Sequence, residues 1–430
     1  MPILIIITVV VLLGILWIVM GMDMEDMISL FEVSDPPEMV IEGEADADGA
    51  TVEGIRNVEE ASNKFAWEMY SEISEEGENL LFSPYSISTA LSMTYEGAKG
   101  DTAEEIKEVL GIPEKDDVRQ PAIAAIYNRL NPEEPEYEWG VANSVWIEEE
   151  YEALSEFIDT LERFYVAKAE NLDFQSEPEA SRVEINEWVK EKTNDLIEEL
   201  FVEGSITVDT RLVIANAIHF KGEWMTGFEE EYTKEEEFHI DEENVVEVPM
   251  MQGEEEYGYY ENDEVQILEM DYKGEELSML FFLPKDKNLH SLEEDISLEE
   301  IDEWREEIEE RKVSVYLPKF EMDTSYDLEE YLQNLGITSA FSKEADFTGM
   351  HEEGEEELMI DDIVHDAFLS VDEEGTEAAA ATGVEFQPVS ADMEDEEELP
   401  IFRADHPFLF LLQEKESGHI LFLGRMIDPS

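Results

Sequence analysis

The side chains that could do acid–base or nucleophilic chemistry are present in this sequence but not arranged for it. Seven histidines, at 219, 239, 290, 351, 365, 406 and 419, are scattered along the chain. There is no G-x-S-x-G, G-x-G-x-x-G, G-x-x-x-x-G-K or H-E-x-x-H. The nucleophile elbow, the two phosphate cradles and the two-histidine zinc helix therefore have no candidate. Cysteine is absent, which excludes disulfides, thiol catalysis and cysteine-based zinc sites. Carboxylates number 112 against 26 Lys+Arg, so a pair of acids is expected anywhere by chance. Glutamate runs at 254–256, 355–357 and 394–398 read as solvated surface. Nothing in these residues supports an enzyme, a metal or a cofactor.

One stretch has a mechanical chemistry instead. Residues 372–382 read DEEGTEAAAAT. Alanine is the best helix former, yet a Gly-Thr entry and the Thr382-Gly383 exit frame a helix poorly. As a strand, Thr376, Ala378, Ala380 and Thr382 share one face, and Glu377, Ala379 and Ala381 the other. The first set is small enough to slide beneath a packed layer without overpacking, a fault that costs about 1–3 kcal/mol. Gly375 supplies conformational freedom for the turn. Such a segment suits a loop that is exposed in one state and a sheet strand in another. Taken alone it is also a small-residue linker or a short surface helix.

The elements around it must position such a loop. Residues 79–97 look like a strand end running into a helix, with Ser83 as N-cap and Pro84 at the first helical position. Residues 182–201 carry Ile185, Trp188, Val189, Leu196, Ile197 and Leu200 on one helical face. Residues 277–283 form an apolar run, 312–317 alternate, and 408–412 with 420–423 flank a Glu416-Ser417-Gly418 turn as a hairpin. Helices come early and strands late, which argues for an α+β fold.

The 430 residues hold 43% hydrophobic residues and a formal net charge of −86. That charge argues against nucleic acid, whose phosphates need Lys/Arg neutralisation. Self-repulsion on this scale favours a high-salt setting, where the Debye length falls to about 3 Å at 1 M; attraction of a basic partner is the rival reading. Residues 3–20, ILIIITVVVLLGILWIVM, are uncharged and mostly apolar. As a helix they would span about 27 Å, close to the roughly 30 Å hydrocarbon core. Residues 1–21 are therefore expected to be a membrane anchor or a signal peptide, and the remainder exported, to the cell surface or beyond. Residues 22–55, acidic and holding Pro36-Pro37, read as a tether. Within it EADADG (44–49) faintly resembles a calcium loop, but Ile55 stands where the twelfth-position glutamate belongs. Residues 56–430 carry the globular pattern.

Several longer segments share a family likeness. FSPYSISTALSMTYEGAKGDT (82–102), INEWVKEKTNDLIEELF (185–201), LVIANAIHFKGEW (212–224), VPMMQ (248–252), LPKFEMDTSYDLEEYLQNLGITSAF (317–341), VHDAFLSVDEEGT (364–376) and FRADHPFLFLL with HILFLGRMIDP (402–429) resemble the serpins, the serine protease inhibitors, in order and over nearly all of the globular part. The resemblance implies one domain with three β-sheets, eight or nine helices and an exposed reactive-centre loop, here about 373–401. It makes Gly375 the hinge glycine, with Glu374 before it and Thr376, Glu377, Ala378, Ala379, Ala380, Ala381 and Thr382 the first residues to insert into the main sheet after cleavage. Fourteen positions beyond the glycine lies Val389, so the reactive bond is Val389–Ser390, with Phe386 and Met393 as fallbacks. Valine implies an elastase-like or subtilisin-like serine protease, or a cysteine protease, as partner. Residues 390–407 look longer and more acidic than is usual on the leaving side.

By the same resemblance Ser83, Ser86, Asn216 and His365 form the polar shutter beneath the opening sheet, and Trp224 marks where the loop enters. The implied activity is suicide inhibition by a monomer, without cofactor. No basic cluster exists for a polyanion. The alternative is a non-inhibitory member acting as chaperone, carrier or plain protease substrate. Such members tend to carry bulky or charged residues, or proline, in the hinge, and none follow Gly375 here except Glu377.

Overall fold

The computed structural model describes residues 44–75, 77–132, 135–351, 358–376 and 399–430. The first globular third is mainly helical: α1 (Val52–Ile73), β1 (Leu80–Phe82), α2 (Pro84–Gly97), α3 (Gly100–Leu110), α4 (Asp116–Leu130), β2 (Tyr137–Glu148), α5 (Ser155–Tyr165), β3 (Lys168–Leu172) and α6 (Pro178–Lys192). Strands then dominate: β4 (Leu212–Glu223), β5 (Lys234–His239), β6 (Val245–Glu261), β7 (Val265–Asp271) and β8 (Leu277–Pro284). After α7 (Leu289–Asp295) and α8 (Leu298–Glu306) come β9 (Glu309–Pro318), β10 (Phe320–Asp327), α9 (Glu329–Leu335), β11 (Asp362–Val371), β12 (Gly375–Thr376), β13 (Ile401–Arg403), β14 (Phe408–Glu414) and β15 (His419–Met426). The α+β expectation holds, with nine α-helices among the described residues.

The strands form two hydrogen-bonded ladders. Nine strands run β1-β15-β14-β8-β7-β6-β9-β13, with β5 beside β6; six run β10-β11-β12-β4-β2-β3. The larger array is two groups sharing β6, whose 17 residues pair with β5 and β9 along most of their length and with β7 only at the far end. The three expected sheets are thus two ladders, the second and third continuous through that strand. The C-terminal hairpin forms as predicted, turning at Gly418, whose φ of 72° lies in the left-handed region.

Local chemistry sets the helix ends. Ser83 caps α2 by accepting the Ser86 N–H at 3.1 Å, ahead of Pro84, an interaction worth about 1 kcal/mol. The helix expected to reach residue 201 stops at Lys192. Asn194 and Asp195 adopt positive φ, and Asn186 captures both the N–H and the carbonyl of Phe201, folding the chain back. Ile197 and Leu200 remain buried, but from a turn.

The tether was expected to run to Ile55. Instead α1 starts at Val52, and Ala45 is buried. The Asp46 carboxylate accepts from the Arg163 guanidinium and from the Asp48 N–H. Among the described residues no three His, Asp or Glu side chains group as metal ligands, and no helix is long and apolar enough to cross a membrane. Residues 1–43, with the apolar segment, lie outside the described residues.

Candidate functional site in the six-stranded sheet

The centre of the six-stranded sheet is a parallel seam. β11 and β4 pair from Asp362↔Val213 to Phe368↔His219. The two paired segments lie far apart in sequence, and α6 packs over β2 and β4 beside them. Above His219 the strands diverge, and β12 lies between them: Gly375 opposes Glu223, and Thr376 opposes Gly222 on one side and Val371 on the other.

The reversal that brings β12 there is built by Asp372. Its carboxylate accepts the N–H groups of Glu374 and Gly375 at 2.9 and 3.1 Å, and its own N–H reaches the Gly375 carbonyl at 2.8 Å. Trp224 anchors the turn, donating its indole N–H to the Asp372 carbonyl at 3.1 Å and its backbone N–H to the Glu374 carbonyl at 2.8 Å. The Trp224 ring stacks on Tyr272 at 4.4 Å, and the Tyr272 hydroxyl meets the Thr376 hydroxyl at 2.6 Å, both groups buried. Burial pushes the Tyr272 phenol far above its ordinary value.

Gly375 is needed for space rather than for the conformational freedom expected of it. A Cβ there would stand 2.0 Å from the Gly222 carbonyl oxygen, and its φ is not among the positive ones.

Glu373, one residue upstream of Glu374, is pinned. Lys319 donates to its carboxylate at 2.5 Å and Thr233 at 2.6 Å, while Phe228 donates its N–H to the Glu373 carbonyl. Burial opposes the charge, but the Lys319 and Thr233 hydrogen bonds outweigh it and hold the carboxyl below its usual range.

Halfway down the seam lies a closed polar cluster. The Ser83 N–H donates to His365 Nε2 at 3.0 Å, so that nitrogen carries no proton and Nδ1–H donates to Asn216 Oδ1. Asn216 Nδ2 reaches Ser86 Oγ at 2.6 Å and Asn143 Oδ1 at 2.5 Å. Ser83 Oγ donates to the Leu421 carbonyl at 2.6 Å. Burial lowers the His365 pKa to about 3, keeping the ring neutral. A buried network in which each member has a partner is strong while closed.

The whole pattern, a two-residue wedge entering a parallel seam above a polar cluster, covers the C-terminal and central motifs together. A family model described as Serpin (serine protease inhibitor) matches residues 60–429. The chain is a serpin.

Among its curated relatives, an uncharacterized serpin-like protein of Thermococcus kodakarensis is 42% identical over 370 residues, covering 86% of this chain and 85% of the relative. The leukocyte elastase inhibitor of Bos taurus is 37% identical, covering 86% and 98%. The crystal structure of uncleaved ovalbumin superposes with a TM-score of 0.78 at 31% identity, covering 87% of this serpin and 100% of ovalbumin.

Of the site residues read from the sequence, Ser83, Ser86, Asn216 and His365 come together, and Trp224, Glu374, Gly375 and Thr376 meet at the top of the seam. Glu377, Ala378, Ala379, Ala380, Ala381, Thr382, Val389 and Ser390 lie outside the described residues. Sequence reasoning missed Asn143, Tyr272, Lys319 and Thr233. Each acts across more than 50 residues of chain, and no local spacing marks it. A lone lysine following a strand pattern, as Lys319 does, was the one available hint, given how rare cations are in this chain.

Proposed function

We propose that this serpin is a suicide-substrate inhibitor of serine endopeptidases, cleaved at Val389–Ser390 and trapping the acylated protease by loop insertion. The observation that carries the reading is the pairing of Gly375 and Thr376 between β4 and β11. Continuing that register six residues from Thr376 would put Thr382 opposite Asn216 (222 − 6) and His365 (371 − 6). Thr376, Ala378, Ala380 and Thr382 would then share the face on which Thr376 meets Tyr272, and Thr382 would enter the polar cluster with a hydroxyl to offer it.

Insertion replaces one parallel seam with two antiparallel ladders. Net hydrogen bonds of about 1 kcal/mol each, over a dozen or so, give a driving force on the order of 10 kcal/mol. Fourteen inserted residues, Thr376 to Val389, would carry the attached protease about 45 Å at roughly 3.3 Å per residue. Distorting the protease stalls deacylation, since loss of one oxyanion donor alone slows chemistry about 10²–10³-fold.

Val389, on the acyl side of the scissile bond, suits a small apolar pocket, hence an elastase-like or subtilisin-like target met outside the cell. The test is incubation of the full chain with an elastase-like serine protease in molar salt. The reading requires a complex that survives SDS and a cleaved form that melts well above the intact one. Cleavage with neither outcome means substrate behaviour and overturns it.

A further inference from the structure

Two of the buried imidazoles, His219 and His419, have no partner on either ring nitrogen, and His365 accepts one hydrogen bond and donates one. His406 is buried as well, at 5% exposed, but both of its nitrogens face acceptors. Nδ1 lies 2.7 Å from the Asp405 carboxylate, and Nε2 lies 2.9 Å from the Pro284 carbonyl. A neutral imidazole carries a single N–H, so one of these contacts would set a lone pair against an oxygen. Only the doubly protonated ring donates to both. The carboxylate side is ionised: burial opposes its charge, but the hydrogen bonds from His406 and Lys287 outweigh it and lower Asp405 to about 2.

These bonds close a corner where several segments meet. Residues 404–407 join β13 to β14. The Asp405 carbonyl accepts the His239 N–H, at the end of β5, at 2.8 Å. Lys287, in the turn after β8, donates to the Asp405 carboxylate at 3.1 Å, and its backbone N–H shares the Pro284 carbonyl with His406. Asp405 and Lys287 are thus the charged groups at the ring. Lys285 turns away to Glu261, and Arg403 to Glu236. β13 depends on this corner because little else holds it. It is three residues long, ends its sheet, pairs only with β9 and leaves Ile401 56% exposed. It is also where the chain rejoins a sheet after β12, so it is the far attachment of residues 377–398.

We infer that His406 is a charged latch: as an imidazolium it ties the β13–β14 corner to the end of β8 through two donated hydrogen bonds, and loss of its ring proton releases one of them. The native corner binds that proton, so the restraint on β13 is complete in acid and weakens as pH rises. The inference rests on the proposed function only for why a firm far end of the loop matters. The latch itself is a property of the uncut molecule.

Labelling the seven histidines of the full chain with nitrogen-15 reads the ring directly. At about pH 5.5, well inside the range where imidazoles change charge, His406 should show both nitrogens protonated. His219, His365 and His419 should show one. The His406 signal is assigned by its loss in His406→Gln. Amide exchange, corrected for its intrinsic pH dependence, supplies the second readout. From about pH 5.5 to about pH 8.5, residues 401–404 should lose about tenfold more protection than residues 409–412 of β14, the equivalent of one hydrogen bond. His406→Gln offers a donor that does not titrate and should abolish that difference. Asp405→Asn, which removes the charged acceptor, should shrink it and stands in if the glutamine variant fails to fold. A singly protonated His406 at about pH 5.5, equal loss of protection at the two sites, or a pH difference unchanged in the variants overturns the latch. No protease enters either measurement, so a failure of inhibition leaves the result standing.

Discussion

β14 and β4 are both central strands buried along nearly their whole length, and their neighbours hold them in different ways. β14 lies antiparallel between β15 and β8 with only apolar side chains at Phe408–Leu412, and every residue of the three strands is buried. β4 has an equally regular antiparallel partner in β2, but its other edge meets β11 in parallel. That edge carries buried polar groups: His365 and Asn216 satisfied, His219 with neither ring nitrogen bonded, and Asp366 of β11 with one carboxylate oxygen unpaired. Unpaired buried polar atoms cost about 1–3 kcal/mol each. The nine-stranded sheet holds such groups too, at Tyr257 of β6 and at His419 where β15 meets the last residue of β14, whereas β4 and β11 carry His219 and Asp366 along the parallel seam itself.

The sharpest way to break this contrast is to place one variant on each sheet. Thr376→Arg puts a charge where a buried hydroxyl meets Tyr272, so the hinge cannot seat between β4 and β11. Yield of SDS-stable protease complex should fall more than 100-fold with cleavage continuing, while the intact form should lose only about 1–3 kcal/mol, the cost of leaving the buried Tyr272 hydroxyl without its partner. Leu411→Ala in β14 should do the reverse, costing about 3 kcal/mol of stability while the partition between complex and cleavage stays as it was. Equal effects of both variants on complex yield would mean the two sheets do not differ as described.

Next in size is the pin at the top of the seam. Glu373→Lys removes a buried carboxylate from Lys319 and sets two ammonium groups together. Breaking a fully buried pair costs about 3–5 kcal/mol, and with the Lys319 side chain 36% exposed the loss here should be about 3 kcal/mol at most. Because Glu373 also fixes the turn before Gly375, the loss should appear as faster seam exchange in hydrogen-exchange measurements rather than as uniform destabilisation. Lys319→Glu in the same chain should recover most of it.

The sequence made the contrast legible in part. Apolar runs at 277–283 and 408–412 announced strands because continuous burial leaves a continuous pattern. The polar cluster was readable through its motifs, since Ser83 and Ser86 also serve as cap and first turn of α2. What stayed hidden were partners set by tertiary distance: Asn143 against Asn216, Lys319 against Glu373, Tyr272 against Thr376. The helix read to residue 201 failed because Asn186 bonds Phe201 in place of a further turn, a competition between side chain and backbone that periodicity does not record. The start of the fold was set too late for a similar reason. Alanines and aspartates at 44–50 look like tether until Asn128 and Arg163 are brought to them.

Smaller, and confined to acid, is the effect of the buried imidazoles. Burial lowers His219 to about 4 and His365 and His419 to about 3. Each therefore contributes stability that is fully present above about pH 6.5 and is lost as pH falls towards its folded value, because the unfolded chain takes up the proton first. His219 sits at the fork with Gly140 beneath it. Between pH 8 and 4.5, His219→Phe should lose about 2–3 kcal/mol less stability than the parent, as followed by chemical unfolding at fixed salt. A parallel pair of curves would show that His219 is solvated and that the fork is wetter than the geometry has it.

Asp366 works with the opposite sign, and the two must be separated by variant rather than read from one curve. It lies on β11, seven-hundredths exposed, on the sheet face opposite His365, with Ser325 and Asp323 of β10 beside it. Burial, with Asp323 adding its charge and the Ser325 hydroxyl opposing, raises its carboxyl to about 7. The unfolded chain ionises near pH 4 while the native form holds its proton, so native stability falls as pH rises through that window and levels above about 7. Asn keeps the shape and cannot ionise. Asp366→Asn should therefore match the parent at pH 4 and exceed it by about 1–2 kcal/mol at pH 8, the pairwise part shrinking as salt rises. If the seam draws its readiness to part from this charge, the same variant should also slow complex formation at pH 8 and leave it unaltered at pH 5. A variant no more stable than the parent at either pH would move the unfavourable energy of the sheet away from β11 and onto the fork at His219.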